Sequence, residues 1–237
     1  MPPEPVPTAA PAPAPSPFSD PQLVARYAEG PPRIVPGFAD MQRMTTLLLA
    51  ERVPDNGRVL VVGAGGGLEL KVFAQAHAGW TFDGVDPAPE MIRLAEQTLG
   101  PLASRIQLHV GTIDSAPEGP FDAATCLLTM HFISTEERRR TVTEIHRRLR
   151  PGAPLVVVHF SFPQGEGERA LWLSRYAAFA TASGVETEQA LSAATAIDLR
   201  LTILTPEQDE AILREAGFSR VSQFYAGFAF RGWVAYA

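Results

Sequence analysis

From residue 58 onward, short apolar runs alternate along the chain with segments in which apolar residues recur every three or four positions. The apolar runs are 59–62, 81–85, 106–110, 121–128 and 155–160. Helical spacing covers 68–77, 89–99 and 135–149. Strands that are apolar throughout are typical of parallel sheets covered by helices on both faces. The pattern therefore predicts an α/β fold built on a doubly wound, mostly parallel sheet.

Two further groups of elements flank this alternation. Helical spacing covers 22–29 and 38–52 before it, and 168–182, 186–194 and 205–216 after it. Two strand-like runs, 221–225 and 228–236, close the chain, and the short connection at Ala226-Gly227 predicts an antiparallel hairpin at the sheet edge. We therefore expect a seven-stranded sheet with a C-terminal hairpin, an N-terminal helical lid over 18–57 and a helical insert over 161–204.

The first 17 residues differ in composition from the rest of the chain. They are rich in proline and alanine, which predicts an extended, disordered tail, and residues 18–237 are expected to form a single domain. The tail lacks the basic start and apolar stretch of a secretory signal peptide, and no later stretch has the length and apolarity of a membrane helix. We therefore expect a cytoplasmic protein that has no membrane partner.

Composition and charge narrow the function classes. The chain has 237 residues, of which 46% are hydrophobic, enough for one sizeable core. Its 20 basic and 26 acidic residues give a net charge of −6, which argues against a protein that coats nucleic acid. A single cysteine, Cys126, excludes an internal disulfide and a thiolate metal cluster. The sequence also shows no metal-ligand spacing, so we expect no metal.

The most informative segment is a glycine-rich turn between a buried strand and a helix. Gly63, Gly65 and Gly67 permit positive φ angles and a close approach of a ligand to the backbone. The next strand ends at Asp86, where an acid is placed to accept both ribose hydroxyls of an adenosine. Leu68 stands at the sixth position from Gly63, so the dinucleotide pattern G-x-G-x-x-G/A is not met. These residues predict an adenosine-containing ligand without a pyrophosphate.

Taken in order, these features resemble the class I S-adenosylmethionine-dependent methyltransferases, over roughly residues 33–237. The resemblance implies S-adenosyl-L-methionine as cofactor and transfer of its methyl group by in-line displacement to a small-molecule acceptor. It also implies the cofactor-binding residues, which are Arg33, Gly63, Ala64, Gly65, Gly67, Asp86, Pro87, Met91, Thr112, Ile113, Asp114, Leu128 and Thr129. Two positions depart from the family: Val61 stands where an acid is frequent, and Thr112 where an aspartate is common.

A narrower resemblance is to carboxy-S-adenosylmethionine synthase, a family that makes a carboxylated cofactor for tRNA wobble-uridine modification. It is carried by 33–38, 127–133 and the ending from Gly217. That family holds the extra carboxylate with an arginine before the last helix, and Arg200 lies about two residues from that place. Phe38 stands where the family has a tyrosine. We interpret this as kinship of architecture. Such a synthase, and a non-catalytic protein that binds the cofactor, stay as alternative functions.

The acceptor side of the site is predicted from the ends of the fourth and fifth strands. His131 and His159 are the candidate general bases, since ligands bind beyond the carboxyl ends of parallel strands. The candidate acceptor-binding residues are Tyr27, Phe38, Phe132, Trp172, Tyr176 and Arg200. For each of these side chains, simple packing in the core or lid is the structural alternative.

Six arginines, at positions 138–140, 147, 148 and 150, lie on or next to one predicted helix. A solvated helix face explains the second group, at 147, 148 and 150, because cations are favourable near a helix C-terminus. Contact with tRNA is the alternative, and a homodimer also stays open.

Overall fold

The computed structural model describes residues 18, 20, 24 and 26–237. The predicted tail 1–17 lies outside the described residues, as do residues 22, 23 and 25 of the first predicted helix. Within the described part of that helix, Val24 is helical, whereas Tyr27–Glu29 is a 3-10 turn, and a short helix begins at Pro31. Gly30 separates these two elements, because glycine does not favour the interior of a helix, whereas Pro31 suits the first position of the helix that it begins.

A seven-stranded sheet forms the centre of the fold, with the strand order β3-β2-β1-β4-β5-β7-β6. The strands are β1 Arg58–Val62, β2 Thr81–Asp86, β3 Ile106–Val110, β4 Ala123–Leu127, β5 Pro154–Phe160, β6 Ser219–Gly227 and β7 Phe230–Tyr236. Strands β1 to β5 are mutually parallel, whereas β7 runs antiparallel to both β5 and β6. The prediction of a mostly parallel sheet with a C-terminal hairpin is confirmed.

Helices cover both faces of this sheet. They are α1 Pro31–Ile34, α2 Phe38–Ala50, α3 Leu68–Ala76, α4 Pro89–Leu99, α5 Thr135–Arg148, α6 Glu168–Ala182, α7 Thr187–Arg200 and α8 Pro206–Glu215. One buried cluster joins the sheet to α2, α3 and α6, and it includes Phe73 and Trp80. A second cluster joins the opposite face to α5 and α8 through residues such as Ile145 and Ile212. This double cover explains why β1, β4 and β5 are buried and apolar on both faces.

Several predicted boundaries differ from the structure by a few residues, and three of the differences have a local reason. Helix α7 continues six residues beyond 194, because Ile197 extends its buried face onto the core. The hairpin turn is at Phe228-Ala229 instead of Ala226-Gly227, since pairing continues to Gly227 and Phe228 takes a positive φ of 48°. Strand β4 ends at Leu127 because Leu128 also has a positive φ, of 57°.

The strand order determines where a ligand can bind. From β1 the chain builds outward through β2 and β3 on one side, and from β4 it builds outward through β5 on the other. The carboxyl ends of β1 and β4 therefore flank the point where the order reverses, and ligand crevices of open α/β sheets lie at such points. Within the described residues, no helix is long and apolar enough to cross a membrane.

Candidate active site

A cavity of about 360 Å³ opens at this point of the sheet, within the range of about 300–1,000 Å³ that is typical of ligand sites. Its walls come from the glycine loop and the start of α3, from the chain after β2, from the chain after β4, and from N-terminal residues. The N-terminal wall consists of Phe18, Tyr27, Phe38, Met41 and Gln42. The cavity is therefore enclosed by the sheet edge on one side and by N-terminal segments on the other.

The glycine loop fits closely between its neighbours. Gly63, Gly65 and Gly67 have φ angles of 75°, 49° and 78°, a region of backbone space in which glycine is favoured. A Cβ atom on Gly63 would lie 2.1 Å from Thr129 Oγ1, and one on Gly67 would lie 3.1 Å from Ala95 Cβ. Glycine is thus required here by both conformation and space.

Asp86 links the glycine loop to the chain after β2. The N–H of Gly65 donates to Asp86 Oδ2 and the N–H of Ala88 donates to Oδ1, each at 2.9 Å. Burial raises the pKa of this carboxyl, and the two backbone hydrogen bonds partly oppose that effect. Because a carboxylate has about four lone-pair positions, each Asp86 oxygen can still accept a hydrogen bond from a ligand hydroxyl.

Glu69 is a second acid of the cavity, and the sequence reasoning missed it. It lies in the first turn of α3, is only 8% exposed and lines the cavity. Burial raises the pKa of Glu69 to about 8, while the hydrogen bond from Thr125 lowers it and the charge of Asp86 raises it. The signal in the sequence is an acid between two leucines, directly after the glycine turn.

Tyr27 covers the glycine loop from the N-terminal side. A Cβ atom on Gly65 would lie 3.1 Å from the Tyr27 hydroxyl, and one on Gly66 would lie 2.9 Å from its ring. Burial, followed by the charges of Glu69 and Asp86, raises the pKa of the phenol. The hydroxyl therefore stays protonated and is a hydrogen-bond donor next to two acids.

The predicted site residues divide into two groups. The cavity is lined by Tyr27, Phe38, Gly63, Ala64, Gly65, Asp86, Pro87, Met91, Leu128, Thr129 and Phe132. Outside its lining lie Arg33, Gly67, Thr112, Ile113, Asp114, His131, His159, Trp172, Tyr176 and Arg200. The second group includes both candidate bases and every predicted residue of the helical insert.

The two histidines lie in the protein interior. His131 Nδ1 accepts a hydrogen bond of 3.4 Å from the N–H of Phe160, and burial, aided by the charges of His159 and Arg138, holds its pKa well below the ordinary value. His159 Nε2 lies 3.1 Å from Asp209 Oδ1, a buried carboxylate that also pairs with Arg138. Neither histidine lines the cavity where a base would act, and both residues are only 3% exposed.

The aromatic residues of α6 pack against the protein. Trp172 stacks on Phe162, and Tyr176 packs edge-on against Phe160. Arg200 is exposed at the end of α7. Trp172 and Tyr176 of the insert are therefore arranged as the packing alternative describes, whereas Arg200 is not packed.

The predicted adenine loop follows β3. Ile113 is buried in the core, whereas Asp114 is exposed and paired with both terminal nitrogens of Arg140 at 2.8 Å. This hydrogen bonding lowers the pKa of Asp114. Among the described residues, no group of three potential metal ligands occurs at this loop or elsewhere.

The chain is similar in sequence to known proteins. Residues 59–152 match a family described as methyltransferase domain. Carboxy-S-adenosyl-L-methionine synthase of Chromohalobacter salexigens is 28% identical over 92% of this chain and 82% of its own length. The ubiquinone/menaquinone biosynthesis C-methyltransferase UbiE of Geotalea uraniireducens is 26% identical over 73% and 75% of the two chains.

A solved structure supports the fold. An O-methyltransferase family protein of Burkholderia thailandensis superposes with a TM-score of 0.68 at 15% identity, over 92% of this chain. This chain spans about 61% of that protein's length. The methyltransferase domain at residues 59–152, the similar proteins and the sheet order support a class I S-adenosylmethionine-dependent methyltransferase. It is an enzyme, and its cofactor is S-adenosyl-L-methionine, as the sequence predicts.

Proposed function

We propose that this enzyme methylates an uncharged, mainly apolar small molecule, which binds next to the cofactor in the cavity described above. The observation that carries the proposal is the chemistry of the lining. Among the described residues, the lining contains two acids, Glu69 and Asp86, and no cationic side chain. Aromatic and aliphatic side chains form most of the rest, so the cavity suits a positively charged cofactor and an apolar acceptor.

The cofactor fits this donor set. In the proposal, Asp86 accepts hydrogen bonds from the ribose hydroxyls, and Gly63 and Gly65 give the methionine part close access to the backbone. Pro87 and Met91 lie along the adenosine. When bound, the cofactor supplies a methyl group that is attached to a sulfonium sulfur. The neutral thioether that remains after the transfer is a good leaving group.

The acceptor is assigned to the N-terminal side of the cavity. The Phe18 and Phe132 rings pack edge to face with centroids 5.3 Å apart, and Phe132 is nevertheless 50% exposed. Phe38 and Met41 line the same cavity. Aromatic surface at the mouth of a cavity favours an apolar partner. The residues of 18–57 would then act as a lid that positions the acceptor and excludes water, which suffices for much of the catalysis of methyl transfer.

The relative from Chromohalobacter supports a second candidate, formation of a carboxylated cofactor. That product carries one more carboxylate, which needs a cationic partner. The described lining offers none, and Arg200 is exposed outside it. We therefore favour methyl transfer from the unmodified cofactor. The mass of the ligand released from purified protein distinguishes the two candidates, because the carboxylated cofactor is heavier. The single cysteine, Cys126, can form no internal disulfide, and we propose on this ground that the protein works in the reducing cytoplasm.

Calorimetry with S-adenosylmethionine and S-adenosylhomocysteine tests the cofactor site. We expect Asp86→Ala to weaken both ligands by roughly tenfold or more, as expected for lost hydrogen bonds to a charged group. Asp55→Ala removes an exposed acid outside the lining and serves as the matched control, with affinity unchanged. Wild-type protein and Asp86→Ala that bind alike would contradict the proposed site.

A further inference from the structure

Glu69 has fewer partners than a buried carboxyl normally needs. Thr125 Oγ1 donates a hydrogen bond of 3.1 Å to Oε1. No hydrogen bond to Oε2 comes from the residues that the structure describes. No cationic side chain lines the cavity in that part of the chain either. The carboxyl is therefore buried at a ligand cavity without a counter-charge from the protein.

The position of Glu69 explains which part of a ligand it can reach. Thr125 in β4 pairs in register with Val61 in β1, so Glu69 lies over the two central strands where they approach the glycine loop. Val61 itself is apolar and fully buried. Helix α3 thus supplies an acid at a place where β1 supplies none.

The two acids of the cavity differ in what they can bind. Both oxygens of Asp86 already accept backbone hydrogen bonds from the loops that they join, which suits neutral hydroxyl donors. The open oxygen of Glu69 calls for a cationic donor. S-adenosylmethionine carries two cationic groups, but its sulfonium has no N–H or O–H to donate, whereas its α-ammonium has three N–H donors. The α-ammonium is therefore the group that can satisfy Glu69.

We infer that Glu69 binds the α-ammonium group of the methionine part of the cofactor, and that this contact from α3 replaces an acid on β1. The inference rests on the proposed placement of the cofactor in this cavity. It makes Glu69 a specificity residue for ligands that carry the amine.

This contact couples cofactor binding to the loss of a proton from the Glu69 carboxyl. The groups that face Glu69 are Thr125 and Cys126 from β4, Asp86 from the end of β2 and Tyr27 from the N-terminal side. None of them is a cation, and burial raises the pKa of Glu69 to about 8. At pH 7 the empty site is therefore mostly protonated, and an arriving ammonium ionises the carboxyl. The affinity should increase between pH 6 and pH 8, and a proton should be released on binding.

Three ligands of graded chemistry test the inference by calorimetry. S-adenosylhomocysteine has the amine and the carboxylate, S-adenosyl-3-thiopropylamine has the amine alone, and 5′-methylthioadenosine has neither. We expect Glu69→Gln to weaken the two amine ligands by roughly 10- to 100-fold and to change the third by less than about threefold. Glu96→Gln, the same substitution on the exposed face of α4, is the matched control and should change none.

Retained binding of 5′-methylthioadenosine shows that the variant is folded. An equal loss for all three ligands, or no loss, overturns the assignment. If wild-type protein does not bind S-adenosylhomocysteine, the proposed cofactor site fails and this inference fails with it. If the wild type binds and Glu69→Gln binds equally well, only the inference fails.

Proton release gives an independent readout. Titrations at pH 7 in two buffers with different ionisation enthalpies should show close to one proton released per S-adenosylhomocysteine by the wild type, since the group has a pKa of about 8. Glu69→Gln should release none. The same release from both proteins would assign the proton to another group and overturn the inference.

Discussion

The missing side chain of Gly63 shapes the cavity as much as any side chain present. A methyl group there would lie 2.1 Å from Thr129 Oγ1, so the loop after β1 and the loop after β4 could not approach each other. Asp86 then fastens the glycine loop from the β2 side through the N–H of Gly65. Gly63, Thr129 and Asp86, which lie far apart in sequence, thus determine how closely the loops around the cavity approach one another.

Glu69 also affects the stability of the protein without ligand. Its pKa is about 8 in the folded protein and about 4.5 ordinarily, so the folded state binds more protons than the unfolded state between these values. The free energy of unfolding therefore falls as the pH rises through this window. Glu69→Gln should remove that loss and stabilise the empty protein by roughly 4 kcal/mol at pH 8, with little effect near pH 4.

Urea unfolding at the two pH values measures this difference. Glu96→Gln provides the matched control and should show no gain that depends on pH. An equal gain for Glu69→Gln at both pH values would point to better packing and contradict the electrostatic explanation.

The sequence predicted the position of some of these residues and not of others, for a physical reason. The glycine spacing and the acid at the end of β2 are local patterns, and parallel strands bring their ends together, so Gly63, Asp86 and Thr129 do line one cavity. His131 and His159 also lie at strand ends. Strand position does not determine the direction of a side chain, however, and both rings point into the interior.

At the scale of elements, one buried ion pair connects the mouth of the cavity to the opposite face of the sheet. Arg138 of α5 and Asp209 of α8 are 1% and 2% exposed and form a salt bridge. Arg138 also donates to the carbonyl oxygens of Met130 at 2.9 Å and Thr202 at 2.7 Å. The 3-10 turn Met130–Phe132, which carries an exposed ring of the cavity mouth, is therefore held by a charge in the core.

A second ion pair between the same two helices serves as a control for this buried pair. Arg139 pairs with Glu215, but both side chains are more than half exposed. We expect Asp209→Asn to lower the free energy of unfolding by about 3–5 kcal/mol, because it leaves Arg138 buried without a counter-charge. Glu215→Gln should cost less than about 1 kcal/mol, as is usual for exposed pairs. Chemical denaturation of the two variants measures the contrast, and equal costs would refute it.

The elements were predicted better than their ends. Continuous apolar runs identified the five parallel strands, because a sheet covered on both faces tolerates few polar residues. The ends of β4 and of the hairpin were missed because Leu128 and Phe228 take positive φ angles that glycine usually supplies. Such residues carry no turn signal in the sequence, since the tertiary structure imposes their conformation.

At the scale of the whole molecule, the arginines of α5 and Arg150 after it are all paired with acids, and Arg138 and Arg148 are buried as well. Arg138, Arg139, Arg140, Arg147, Arg148 and Arg150 each form a salt bridge with an acidic residue. The overall charge is −6. Binding of nucleic acid depends on unpaired cations that displace counterions from phosphates. The protein should therefore show little affinity for tRNA.

Fluorescence anisotropy with labelled tRNA at roughly 50 mM salt tests this expectation, because electrostatic binding is strong under that condition. We expect no saturable binding. A triple variant, Asp114→Asn with Glu118→Gln and Glu215→Gln, removes carboxylate partners of Arg139, Arg140 and Arg147 and should bind more tightly. Tight binding by the wild type that falls steeply with salt would contradict the expectation.

The two acids of the cavity, with no cation beside them in the described lining, also bear on turnover. When the methyl group passes from the sulfonium to the acceptor, the cofactor becomes a neutral thioether, and the positive charge moves to the methylated acceptor, which loses it with a proton or carries it out of the site. Glu69 and Asp86 stay in place, so the spent cofactor loses an attraction that the fresh cofactor had. The cavity therefore favours exchange of product for substrate, and the charge of its walls works against product inhibition.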